Sequence, residues 1–193
     1  MWYLLIMKTH IGFTLIEVLI AMLILAIGLM GLAALQTYSL RANLSAYTRG
    51  QATQLLYDMS DRMRANTATA TTSTATTGYL ITNTLTDTRT QNKKLSDVLA
   101  HACRNVSNTT CNPATLSEYD LIEWTVTIAN ALPMGRACIA SPDNSVFTLY
   151  ITWDDNRSGT VTTDANPSAC TTITTYSNTE TNPDPVLSIS VQL

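Results

Sequence analysis

Residues 13–35 read FTLIEVLIAMLILAIGLMGLAAL, 23 residues carrying a single charge, Glu17. As a helix this run spans ~35 Å, enough to cross the ~30 Å hydrocarbon layer of a bilayer. Lys8 and His10 precede it and no acidic residue appears before Glu17. That flank predicts a cytoplasmic N-terminus, with everything beyond Leu35 exported. An ordinary signal peptide fits poorly. The run exceeds a 7–15-residue h-region, and only Gly31-Leu32-Ala33 approaches a small-residue cleavage site.

Glu17 is the unusual element. A carboxylate in hydrocarbon costs on the order of 2.5–3.5 kcal/mol on insertion scales, and such groups normally have a partner. No cation in the run reaches it. Cleavage between Gly12 and Phe13 would create one, because the new α-amino group stands about one helical turn from Glu17. In an assembly of such helices, the amine of one subunit neutralises the carboxylate of its neighbour, and only one axial register pairs them.

At Gly12-Phe13-Thr14-Leu15-Ile16-Glu17 the chain resembles the type IV prepilins, whose signature is a short leader ending in Gly, then Phe-Thr-Leu-Ile-Glu and an unbroken apolar stretch. The resemblance implies a membrane prepilin peptidase that cleaves after Gly12 and N-methylates Phe13, with Phe13 and Glu17 serving assembly. Either Met1 or Met7 is compatible with the start of such a leader. Pilins often have a proline in or just after this stretch, whereas here the first proline is Pro113. Gly28 and Gly31 either loosen the helix, at about 1 kcal/mol each relative to Ala, or mark close helix packing.

The helix is expected to continue to about residue 65, with Leu40, Leu44, Tyr47, Leu55, Met59 and Met63 forming a stripe that faces a sheet. Arg41, Arg49, Asp58, Asp61 and Arg62 fall largely off it. The Thr/Ala-rich tract 67–78 reads as a loop. Tyr79-Leu80-Ile81 starts a short strand and 93–102 a short helix, with Leu95, Val98 and Leu99 on one side. Asn112-Pro113 begins another helix, to about Ala131, with a cap followed by Pro at N1. The β-branched run Thr125–Ile128 also permits a strand there. Strands follow at 138–140, at 146–153 with Phe147, Leu149, Ile151 and Trp153 on one face, and at 186–192. The expected fold is α+β, a long N-terminal helix laid on an antiparallel sheet. Its segments are a leader (1–12), a membrane and assembly half-helix (13–35), a periplasmic half-helix (36–66) and a head (67–193).

Composition agrees with export. Charged residues make up 13% of the chain, the net charge is −3, and 33 residues are Thr. The scattered Lys and Arg give no nucleic-acid footprint, so nucleic acid is not an expected partner. Four cysteines, Cys103, Cys111, Cys138 and Cys170, all lie in the second half. An even number in an exported region implies disulfides. Cys103–Cys111 with Cys138–Cys170 is the favoured one of three pairings. Asp154, Asn156, Ser158 and Asp164 loosely resemble a calcium loop, but Ala165 stands where a bidentate Glu is needed, so a polar turn is the better reading. His101 lacks partners for a catalytic triad. No cofactor, metal or enzymatic activity is expected.

Beyond the N-terminus the chain resembles the PilV-type minor pilins (type IV pilus modification proteins). The shared features are Asp61-Arg62-Met63-Arg64-Ala65-Asn66, a Cys…Cys-x-Pro stretch, Tyr119-Asp120-Leu121 with Trp124, Leu132-Pro133-x-Gly135, and Ile151-Thr152-Trp153. The resemblance implies a subunit that waits in the bacterial inner membrane and then enters the pilus or a tip complex. Its implied partners are prepilin peptidase, minor and major pilins, an inner-membrane assembly platform, membrane lipid and a tip adhesin, in support of twitching motility, attachment or DNA uptake. The alternatives are a type II secretion pseudopilin and a membrane-anchored enzyme or binding domain.

Overall fold

The computed structural model describes residues 12–74, 77–81, 94–100, 103, 111–141, 145–155 and 185–193. Helix α1 covers Leu15–Ala65, α2 Thr67–Ala70, α3 Leu95–Ala100 and α4 Pro113–Ala131; the strands are β1 Arg136–Ala140, β2 Val146–Thr152 and β3 Val186–Gln192. The chain divides into two compact units, residues 1–44 and 45–193. In the first, the described residues are the start of α1, and none of its most apolar 18-residue window is buried.

The second unit is α+β. Its sheet is antiparallel in the order β1-β2-β3, with Ile139 opposite Leu149 and Leu149 opposite Ile189. One sheet face contributes Ala137, Ile139, Phe147, Leu149, Ile151 and Val191 to the core, joined by Trp153 just past β2. Onto it pack Ala52, Leu55, Leu56, Met59 and Met63 of α1, and Leu121, Trp124 and Ile128 of α4. The second half of the long helix thus lies on the sheet as expected.

The helix face differs from the expected stripe. Leu55, Met59 and Met63 are buried, but Leu40, Leu44 and Tyr47 are 68%, 41% and 62% exposed. The buried line runs instead through Thr48 and Ala52. Small side chains mark the face that meets the head most closely. Tyr47, one position before Thr48, points elsewhere, whereas Leu40 and Leu44 fall on the same face as Thr48 at four-residue steps and are exposed all the same.

Thr67–Ala70 is a helical turn rather than loop. Threonine hydroxyls fold back to carbonyls a turn earlier, Thr71 to Thr67 at 2.9 Å and Thr72 to Ala68 at 3.0 Å. Ala70 and Ser73 are buried. Gly78 closes the tract at φ +75°, where an added Cβ would stand 2.8 Å from the Ser73 backbone, so only glycine fits. Where a strand is expected to start at Tyr79-Leu80-Ile81, the described residues show a bridge from Ile81 to Ile139, and the positions that would continue it lie outside the described residues. In α3, Val98 is buried against Ile122 and Val126 of α4, whereas Leu95 is exposed. The side chain of Leu99 lies outside the described residues.

Helix α4 begins at a capping box. Asn112 Oδ1 accepts the N–H groups of Ala114 and Thr115, both at 3.0 Å, and Thr115 Oγ1 accepts the Asn112 N–H at 2.7 Å. Its β-branched run stays helical because Thr125 and Thr127 donate to the carbonyls of Leu121 and Glu123 while Ile128 is buried in the core. Leu132, extended ahead of Pro133, ends the helix. In the turn that follows, the Gly135 N–H donates to Leu132 O at 3.1 Å, and Met134 adopts φ 48°.

Candidate functional site

The chemistry of the N-terminus is built on one helix start. Thr14 is the N-cap of α1. Its carbonyl accepts from the N–H groups of Glu17 at 3.1 Å and Val18 at 3.4 Å, and its hydroxyl oxygen lies 3.4 Å from the Glu17 N–H. Thr14-x-x-Glu17 therefore has the spacing of a capping box, a signal legible in the sequence. Glu17 also places an acid in the first turn, where the helix dipole favours one. Phe13 stands 85% exposed just ahead of the cap. With Val18, Met22 and Leu25 it borders a shallow apolar groove along α1, and Glu17 forms part of that border.

The glycines of the N-terminal segment have no steric role among the described residues. A Cβ on Gly12, Gly28 or Gly31 would meet no atom within 4 Å. Helix packing inside the chain thus does not account for Gly28 and Gly31.

In the head, the described cysteines are structural. Cys103 and Cys111 form a disulfide with a Cα–Cα distance of 4.8 Å, and Cys111 directly precedes the Asn112 cap. Cys138 is also disulfide-bonded and is buried beside Ala140 and Tyr150 on the sheet face turned away from the core. Cys170 lies outside the described residues, as do His101, Asn156, Ser158 and Asp164. Asp154 is buried, and its N–H donates to Pro133 O at 3.0 Å. The next residue, Asp155, accepts from Ser45 Oγ at 2.7 Å, Thr48 Oγ1 at 3.3 Å and Trp153 Nε1 at 3.2 Å, which fixes the end of β2 to α1. Among the described residues, no three His, Cys, Asp or Glu side chains are grouped to hold a metal ion.

A polar network the sequence reading missed joins α1 to α4. Arg62 pairs with Asp58 at 2.9 Å, with Asp120 at 3.2 Å and with Glu123. Tyr79 donates its hydroxyl to Asp120 Oδ2 at 2.6 Å, and Asn66 Nδ2 donates to Pro113 O at 2.7 Å. Burial alone would lower the Arg62 pKa, but the hydrogen bond to Glu123 and the charges of Asp58, Glu123 and Asp120 raise it above the usual arginine value. Burial pushes the Asp120 carboxyl up, against the opposing pull of Tyr79 and Arg62. Burial and the Asp120 hydrogen bond push the Tyr79 phenol up as well. The network holds no activated nucleophile, and its chemistry is that of a latch.

Residues 7–33 match the family model of the prokaryotic N-terminal methylation motif, and the matched segment contains Gly12, Phe13 and Glu17. The match supports a type IV pilin-like chain of the prepilin kind, a structural subunit that prepilin peptidase processes and that assembles with other pilins. With the apolar start of α1 it fits a membrane anchor. No curated protein and no solved structure matches the chain.

Proposed function

We propose that the chain is a minor pilin of a type IV pilus, closest to the PilV type, and is not an enzyme. Prepilin peptidase cleaves after Gly12 and methylates the new amine of Phe13. The subunit then waits in the bacterial inner membrane with its head in the periplasm, and enters the pilus or its tip complex through α1. Phe13 and Glu17 set the register, residues 13–35 pack laterally, and the head selects neighbours. Its partners are minor and major pilins, the inner-membrane assembly platform and a tip adhesin, in support of twitching motility or attachment.

The methylation motif carries this reading, with Glu17 the sole charge in the 23 residues that follow Gly12. The open surroundings of Gly12 support it too, since a glycine that the chain itself does not need fits a requirement imposed by a protease. For the minor-pilin assignment, the support is the set of features beyond the N-terminal motif, from Asp61–Asn66 at the end of the long helix to Ile151–Trp153 in the head.

Mass spectrometry of the mature N-terminus, with and without prepilin peptidase, is the primary test. Methylated Phe13 is expected only with the enzyme, and any other N-terminus overturns the reading. A Glu17→Ala strain should insert normally in the membrane yet be depleted from sheared pili. Loss of exoprotein secretion rather than of piliation on deletion would favour a type II secretion pseudopilin.

A further inference from the structure

We propose that in the free subunit the bilayer takes α1 between Glu17 and Tyr38, so that the carboxylate stays at a water interface and enters an apolar environment only when subunits associate. This rests on the membrane-anchor reading above and fixes its register. The uncharged stretch after Glu17 runs to Leu40, and its first twenty residues, Val18 to Thr37 ahead of Tyr38, have a helical rise of ~30 Å. That equals the hydrocarbon thickness of a typical bilayer, ~30 Å. A span centred on residues 13–35 would instead sink Glu17 ~5 Å below the hydrocarbon boundary.

Backbone hydrogen bonding selects between the two placements. The helix begins at Leu15, so the N–H groups of Leu15 and Ile16 have no acceptor a turn earlier in the helix. Such donors belong in water or headgroups, since each unsatisfied group in hydrocarbon costs several kcal/mol. The other end meets its interface without such a problem. Thr37 donates its hydroxyl to Ala34 O at 2.8 Å, which lets it lie at the lipid boundary. Tyr38 is 74% exposed and Arg41 is exposed one turn further on, an aromatic ring at headgroup level and a guanidinium within reach of lipid phosphate. Partition into lipid then leaves Glu17 hydrated, and its desolvation falls on the assembly step, where a mispaired register is rejected.

The test uses the full chain in vesicles of phosphatidylethanolamine with a minority of phosphatidylglycerol. Single cysteines replacing Leu19, Leu23, Ile24, Ile27, Leu32 or Tyr38 are spin-labelled without reductant, and depth is read from oxygen against nickel-chelate accessibility. The label at 27 should be deepest, those at 23 and 32 should match, and Glu17→Gln should leave the profile in place. A deepest label at 24, or a profile that shifts with Glu17→Gln, overturns the register while leaving the anchor intact. Nickel access at every position overturns the anchor and the register together.

Discussion

The indole Nε1 of Trp124 donates to the main-chain carbonyl of Leu55 at 2.8 Å, in the middle of another helix. Both residues are buried, and the bond fixes α4 along α1 at one height. Trp124→Phe removes the donor and part of the ring, and should lower stability by about 1–3 kcal/mol. Denaturant unfolding of the full chain in detergent measures this. A loss below 0.5 kcal/mol, taken as about half of a typical net hydrogen bond, would mean that the bond adds nothing to packing.

Tyr79 predicts an alkaline limb. Its folded pKa is raised above the ordinary ~10, so its contribution is fully present below about pH 10 and lost as pH rises through the folded value. Stability of the head should fall above pH 10, and Tyr79→Phe should flatten that fall while lowering stability at neutral pH. An unchanged alkaline slope in the variant would show that the phenol titrates alike in both states.

Arg62 is the cation on which three carboxylates converge. In Arg62→Met, Asp120 remains buried at neutral pH without its guanidinium, a loss of about 2–3 kcal/mol. Asp120 already has a raised pKa, and losing the cation raises it further. Its contribution is present below the ordinary carboxylate value and disappears as pH rises through the folded one. The deficit of the variant should therefore shrink on acidification, as urea titrations across that range will report.

Met134 holds a positive φ in the second central position of a turn that has Pro133 in the first, a place suited to glycine. Half-exposed and outside the core, its side chain contributes little there. Met134→Gly should stabilise the head by about 0.5–1 kcal/mol, whereas Gly135→Ala should destabilise it, because the new Cβ would stand 2.8 Å from Ile128 O. Melting temperatures of opposite sign are the expected pair.

The elements legible in the sequence were those with a clean period or a cap. Phe147, Leu149 and Ile151 alternate, and Asn112-Pro113 announces α4; both appear in the fold. What escaped was set by tertiary context. Thr48 and Ala52 hold the inner face of α1 because small side chains permit close approach, and no hydrophobic scale ranks them above Tyr47. Thr67–Ala70 folds into a turn through hydroxyl back-bonds that composition presents as low complexity. Arg62 lies far in sequence from Asp120 and Glu123, so the latch emerges only once α4 is laid on α1. Thr14, by contrast, is readable as a cap from the Thr14-x-x-Glu17 spacing alone.

The short path from Leu132 to Arg136 makes chain length there non-negotiable. Ala137 and Ile139 face the core while Cys138 between them faces away, so each strand position has a fixed side. One inserted residue would slide β1 by a single step, turn Ala137 and Ile139 outward and carry the Cys138 sulfur into the apolar interior. Replacing the exposed Met134 leaves that alternation in place, whereas a one-residue insertion in the same bend reverses it along the whole strand.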